Sequence, residues 1–220
     1  MPGLRMRAIV ATLVLGSLTI PAVAHADRGA FTLEAGPALT WWPSLAPAVG
    51  SGAGVNGSAG GGMVGLRYGL RHDVDLTASG FYEADARYTH TAVTVGTDVG
   101  TFTGTLTSRT GRWGLLAGAR YVTGLKLRLF AGAEVGWVQQ RYSRLDLLNV
   151  SDPSNPHSFG LGLADRSRSG AVIAPLAGIE WQVTDRWSVT VAPRVQVMIG
   201  DVGRAAVVVP LTIGHTWFGW

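Results

Sequence analysis

The chain has 220 residues, 47% of them hydrophobic, only 15% charged, and no cysteine among them. Soluble domains carry roughly 25% charge, so much of the usual solvated surface is missing, while disordered chains show the opposite balance. The 31 glycines, about twice the usual share, argue against helices as the source of that apolarity. The lack of cysteine excludes disulfide scaffolds, cysteine-ligated metal centres and thiol catalysis.

At the N-terminus, Arg5 and Arg7 precede the apolar run Ala8 to Ile20, then Pro21 and the small-residue site Ala24-His25-Ala26. This is the pattern of a secretory signal peptide, residues 1–26, cleaved after Ala26. The run is shorter than the ~20 residues a spanning helix needs. Losing Arg5 and Arg7 lowers the net charge of +4 by two, and no basic stretch is dense enough to form a nucleic-acid patch. Residues 27–220 then form a single domain.

No later window is long and apolar enough for a spanning helix. What recurs is period two, the mark of half-buried strands. In chain order it runs through Phe31–Trp41, Val64–Leu70, Val74–Tyr88, Trp113–Tyr121, Leu125–Trp137, Ala171–Val183, Trp187–Ile199 and Ala205–Ile213, predicting eight strands. Short links at Arg71-His72-Asp73, Thr123-Gly124 and Thr184-Asp185-Arg186 alternate with longer ones near Pro43–Ser58, Thr89–Thr105 and Leu145–Ser167, and a short one near Gly200–Gly203. An even strand number, with tight turns at one end and long loops at the other, predicts an all-β, eight-stranded antiparallel up-and-down transmembrane β-barrel. A soluble lipocalin-type barrel is the alternative, and the two differ in which face points inward.

The apolar face carries aromatics at both ends. Phe31, Tyr68, Tyr121, Trp181, Trp187 and Trp217 lie at the short-turn end, and Trp41, Trp113 and Trp137 at the long-loop end. The ten residues from Phe31 to Trp41 span roughly 25 Å along the barrel axis, the height of a lipid-facing band between two girdles. The other face is small or polar and holds all four glutamates, Glu34, Glu83, Glu134 and Glu180. That face therefore points inward.

The chain thus resembles the small eight-stranded outer-membrane β-barrel proteins, the OmpA/OmpX- and OmpW-like group, over residues 27–220. The resemblance rests on the signal peptide, the strand count, the asymmetry of the links, the periplasmic-type hairpin Thr184-Asp185-Arg186-Trp187 and the terminal strand Val207–Trp220. Thr212, Gly214 and Trp217 match the group's C-terminal signal, whereas Gly219 stands where an aromatic or apolar residue belongs and Trp220 lies one beyond. The resemblance implies the outer membrane of a Gram-negative bacterium, insertion by the barrel-assembly machinery, and contact with outer-membrane lipid and lipopolysaccharide. It supplies no catalytic set. We expect a monomer, not an enzyme, without cofactor or metal.

Inward charges form two expected layers. The lower holds Glu34, Arg67, Arg120, Arg128 and Glu180, with Asp75 and Lys126 lower still. The upper holds Glu83, Asp85, Glu134 and Arg194, with Arg87 above. Unpaired buried charge is expensive, so these groups should pair, either as a static plug or as an ion-pair gate in a narrow pore. A structural or surface-interaction role and a narrow, porin-like channel therefore both stand, with an outer-membrane lipid-modifying enzyme third.

Four prolines fall within strands, Pro37, Pro175, Pro193 and Pro210; each removes a ladder donor and predicts a bulge or local fraying. A lateral opening for apolar solutes is the functional alternative there. Gly52-Ala53-Gly54-Val55-Asn56-Gly57 spells G-x-G-x-x-G without the strand–helix context of a dinucleotide site, and reads as a surface loop. His72, His90, His157 and His215 lack metal-ligand spacing; His215 reads as a girdle residue beside Trp217, with no serine or acid placed for hydrolysis. Asn149–Ala164 reads as an exposed, mobile loop, and with Pro43–Ser58 as the place for partner binding.

Overall fold

A computed structural model of the protein describes residues 28–98, 100–152, 155–200 and 204–217. The signal-peptide segment and the terminal residues 218–220, where the register of Gly219 and Trp220 was in question, lie outside them. Every regular element among the described residues is a strand: β1 (Phe31–Leu45), β2 (Val55–Arg71), β3 (Val74–Thr97), β4 (Gly100–Gly124), β5 (Leu127–Asp152), β6 (Asn155–Leu163), β7 (Arg166–Gln182), β8 (Trp187–Val191), β9 (Arg194–Gly200) and β10 (Ala205–Trp217). β6 continues into β7 past Ala164 and Asp165, and β8 and β9 are one strand interrupted at Ala192 and Pro193. Eight strands therefore run up and down, each antiparallel to its neighbour, and β1 pairs with β10 to close the ring.

The period-two pattern sets the faces. Along β1, Phe31, Leu33, Leu39 and Trp41 are exposed, while Thr32, Glu34, Ala38 and Thr40 are buried. The same holds around the ring, with Leu66, Leu115, Leu129, Val135, Ile179, Val197 and Ile213 all facing out. An exposed apolar surface of this extent is a lipid-facing one. It excludes the lipocalin arrangement.

All nine expected girdle aromatics sit on this outer face. Phe31 packs against Tyr68 at 4.8 Å with the rings tilted by 44°, and Trp113 meets Trp137 edge-on at 5.0 Å. His215 lies between Trp187 and Trp217 at 4.6 and 4.5 Å, a girdle position. Tyr82, directly opposite Trp113 and exposed, completes the upper girdle and was not anticipated.

Three of the prolines leave the ladder regular in register but locally incomplete. Between Ala35↔Ile213 and Ala38↔Pro210 the β1–β10 pairing lapses, and between Ile173↔Val197 and Leu176↔Arg194 the β7–β9 pairing lapses, yet neither shifts by a residue. Pro193 breaks its strand outright. The expected fraying is present and bulges at these prolines are not. Bulges occur elsewhere, in β3 between Glu83 and Ala86 and between His90 and Val93.

The largest departure from the sequence reading lies above the upper girdle. The segments read as loops, Thr89–Thr105 and Asn149–Ala164, are largely paired ribbon: β3 and β4 pair out to Thr97↔Gly100, and β5 and β6 to Asp152↔Asn155. β-branched Thr and Val favour strand there, but threonine on both faces hides the alternation. Beneath the ribbons Ala48, Val49, Val93, Val95, Leu106, Tyr142, Leu145 and Leu147 form a second buried cluster.

The β1–β2 connection is folded into that cluster. Ser51 and Thr94 exchange backbone hydrogen bonds of 3.0 and 2.9 Å, Arg168 Nη2 donates to the Ala48 carbonyl at 2.9 Å, and Arg204 Nη1 donates to the Ser44 carbonyl at 3.0 Å. Gly50 (φ +68°) is required here, since a Cβ would stand 2.1 Å from the Thr94 carbonyl oxygen. No helix follows the glycine-rich stretch; only Gly52 to Gly54 are loop, and Val55, Asn56 and Gly57 already belong to β2.

His90 is buried beside this connection. Burial holds its imidazole below the ordinary histidine range, against a backbone hydrogen bond at Ala53 that works the other way, and Arg204 adds to the lowering. The freed chain therefore binds a proton more readily than the docked one, so docking is full above the ordinary histidine pKa and weakens below it. We predict that amide exchange of residues 43–54, corrected for its intrinsic pH dependence, is slow at about pH 8 and accelerates as pH falls towards about 5. In His90→Gln the acceleration should vanish; an unchanged profile in that variant contradicts the coupling.

Candidate functional site

The lumen is where the sequence places its charge, and the strands deliver two separate assemblies there. At the short-turn end β1, β2, β3, β4, β5 and β7 contribute Glu34, Arg67, Asp75, Arg120, Arg128 and Glu180, three acids and three arginines. Asp75 stands directly opposite Arg120, and Arg128 directly opposite Glu180. Glu180, 2% exposed, is the hub: Arg67 Nη1 and Arg120 Nη2 both donate to its Oε2, the latter at 2.7 Å, and Arg128 approaches its Oε1 at 3.7 Å. Arg120 also bonds Asp75 at 2.9 Å, and Arg67 reaches Glu34 at 3.4 Å. The Arg120 guanidinium lies 4.3 Å over the Phe130 ring. Lys126, in contrast, is exposed in its turn.

Close quarters are made by glycine. A Cβ on Gly65 would stand 3.0 Å from Glu34 Oε1, and one on Gly132 would meet the Arg120 Cβ at 2.9 Å.

The upper assembly differs from expectation in two residues. Asp85 is exposed on the outer face, and Arg87 with it. The bulge between Glu83 and Ala86 inserts one residue, so Phe81 and Glu83 point inward below it and Tyr88 and His90 above it. In place of Asp85 the lumen holds Arg112, 2% exposed, which lies before the expected start of its strand. Its Nε donates to Glu83 Oε2 at 3.1 Å and its Nη2 to Glu83 Oε1, while its guanidinium lies 4.5 Å from the Trp42 ring and 4.9 Å from Phe81. Thr40 donates a 2.6 Å hydrogen bond to the same carboxylate. The alternation of β4 continued past Trp113 would have found Arg112; Ser-Arg-Thr-Gly-Arg reads as a loop and hid it. Separately, Arg194 Nη1 bonds Glu134 Oε2 at 2.5 Å.

Between and around these pairs the lumen mixes apolar side chains with uncharged polar ones, among them Thr40, Ser79, Gln140, Ser188, Thr190 and Gln196. Trp42, Met63, Phe81, Tyr88, Leu116, Val138, Val172 and Met198 form one buried cluster, and Val122, Phe130, Leu176 and Ala192 another. Paired charges and packed side chains occupy an interior in which eight strands leave little further room.

No protein-family model and no curated protein matches the chain. Solved structures do. Ail, the attachment invasion locus protein of Yersinia pestis, crystallised with the heparin analogue sucrose octasulfate, superposes with a TM-score of 0.52 at 13% identity, covering 86% of this chain and 99% of its own. Neisserial surface protein A superposes with a TM-score of 0.53 at 14% identity, covering 86% and 98%. The fold is that of the small outer-membrane β-barrels. At such identities the likeness extends to the scaffold, and roles on that scaffold vary.

Removing the hub charge should be costly, because three arginines would then share two carboxylates. We predict that Glu180→Gln lowers the unfolding free energy of the vesicle-embedded barrel by about 3–5 kcal/mol, measured as a lower urea midpoint. Glu34→Gln should lose clearly less, since its contact to Arg67 is a single one at 3.4 Å. Equal losses would remove Glu180 from its central place.

Proposed function

We propose that the chain is a Gram-negative outer-membrane barrel with a structural or surface-interaction role, its lumen closed and its outward parts in contact with lipid and partners. The observation that carries this reading is the filled interior. Glu83, Arg112, Glu134, Glu180 and Arg194 are each 2–4% exposed, are paired with one another or with neighbouring charges, and are packed among buried apolar and uncharged polar side chains. Export by a cleaved signal peptide, insertion by the barrel-assembly machinery, a monomeric state and the absence of catalysis belong to the same proposal. The ribbons of β3–β4 and β5–β6 and the docked β1–β2 connection offer the surface for partners.

A second reading, a narrow channel for small solutes, draws on the incomplete pairing around Pro175, Pro193 and Pro210 in three neighbouring strands. The experiment that separates the two is single-channel recording of the purified barrel in planar bilayers, comparing wild type with Glu134→Gln. The closed-lumen reading predicts silence from both. Steady conductance in the wild type, changed by the substitution, would establish the channel instead, and liposome swelling would extend that result to uncharged solutes.

A further inference from the structure

The β1–β2 connection sits on the ribbons as a peptide ligand would. Ala48 and Val49, 0% and 4% exposed, are packed among Val93, Val95, Leu106 and Tyr142 in the cluster beneath the ribbons. The groups that hold the connection read mostly main chain. Ser51 and Thr94 exchange backbone hydrogen bonds in both directions, and Arg168 donates to the Ala48 carbonyl at 2.9 Å. Only Arg204 also reads a side chain, reaching Ser44 Oγ at 2.9 Å beside the Ser44 carbonyl. Arg168 itself lies 5.7 Å over the Tyr142 ring, a contact that does not depend on the connection. A seat that takes two small apolar side chains and otherwise binds backbone is not specific to one sequence.

The seat lies on an open sheet edge. β2 pairs with β3 only as far as Gly61↔Glu83, so above Glu83 that edge of β3 is met, among the described residues, by the Ser51 bridge alone. Gly96, two residues beyond Thr94, is exposed, and a Cβ on it would meet nothing within 4 Å. Antiparallel continuation of the bridge would set Val49 opposite Gly96, but the turn at Gly50 (φ +68°) carries Val49 into the apolar cluster instead. The connection therefore covers the edge at a single residue pair, and an unpaired edge is a template for a further strand.

We propose that this seat is an exchangeable peptide-binding site. The β1–β2 connection fills it in the resting barrel, and an extended segment of a partner protein, carrying two adjacent small apolar residues, displaces the connection and takes its place. A lipid would fill the apolar cleft but bring no backbone for Thr94 and Arg168. A glycan would bring no apolar side chains for the cleft. The connection stays tethered through Leu45↔Val55 and so competes at an effective concentration of about millimolar, which makes it an autoinhibitory contact. The proposal rests on the surface-interaction reading above; it names the class of partner and the contact that regulates it.

The test is fluorescence anisotropy of a labelled peptide copying residues 43–54, titrated with the purified barrel in a mild non-ionic detergent. Wild type should bind it weakly. Val49→Asp in the barrel, which sets a charge where an apolar side chain was buried, should free the seat and tighten binding at least about tenfold. Adding Arg168→Gln should remove most of that gain. The chain has no cysteine, so Ser51→Cys with Thr94→Cys introduces a single possible disulfide, and directly paired antiparallel residues stand about 5.5 Å apart, within disulfide reach. Added to Val49→Asp and oxidised, this pair should abolish the gain, and reduction should restore it. A peptide with Ala48→Asp and Val49→Asp should not bind.

Binding by Val49→Asp no tighter than by wild type overturns the proposal, as does a gain that survives the disulfide. Equal binding of the aspartate-bearing peptide would mean an unspecific surface, and a doubled mass of the barrel in native mass spectrometry would mean that two copies exchange connections; each also overturns it. Heat-modifiable gel migration of every sample reports whether the barrel is folded. Loss of migration in the wild type overturns the outer-membrane reading together with this site, whereas absent peptide binding with migration intact overturns this site alone.

Discussion

Eight strands close around a lumen scarcely wider than its own side chains, and any charge turned into it must find its counter-charge within that width. Burying an ion without a partner costs several kcal/mol, whereas a well-formed buried pair roughly breaks even against an apolar filling. The lumen obeys this constraint closely. Three acids meet three arginines around Glu180, Arg112 meets Glu83, and Arg194 meets Glu134. The pairs are therefore better understood as specifying the barrel than as supplying its net stability.

What they specify is register. A strand that slips by one residue turns every side chain to the other face. In this chain a slipped strand would carry Arg67, Arg120 or Glu180 to the lipid face beside the short-turn girdle, at about 0–1 kcal/mol for each arginine there, would strip each of its buried partner, and would bury leucine among charges. Asp75 opposite Arg120 and Arg128 opposite Glu180 are correct partners only at one alignment. The prolines make that pinning more important, because Pro193 interrupts its strand and the ladder beside Pro175 and Pro210 is incomplete. There the alignment continues across the gaps without a shift, held by pairing on either side.

The fold was legible because one periodicity covers both faces of nearly every spanning strand: Leu127 against Arg128 and Trp187 against Ser188 suffice to tell lipid from lumen. The lower charge layer was legible for the same reason. Legibility ended where the period breaks. A one-residue bulge after Glu83 reverses the faces of Asp85 and Arg87, and no local composition announces it. Arg112 was lost behind a loop-like stretch, and the paired ribbons behind threonines that show no apolar face. Trp42, adjacent to the girdle residue Trp41, lies inside only because neighbours on a strand take opposite sides.

The bulge also links the inside of the barrel to its outside. Without the extra residue, Asp85 and Arg87 would extend the lumen charge upward into the space that Tyr88 and His90 occupy beneath the docked β1–β2 connection. With it, those two charges stand on the outer wall above Tyr82, and Arg87 comes to face Arg109. The same backbone irregularity thus keeps these two charges out of the upper interior and leaves an exposed arginine pair, Arg87 and Arg109, on the outer wall above the girdle. One inserted residue thus decides for two charges, Asp85 and Arg87, whether they belong to the interior or to the outer wall.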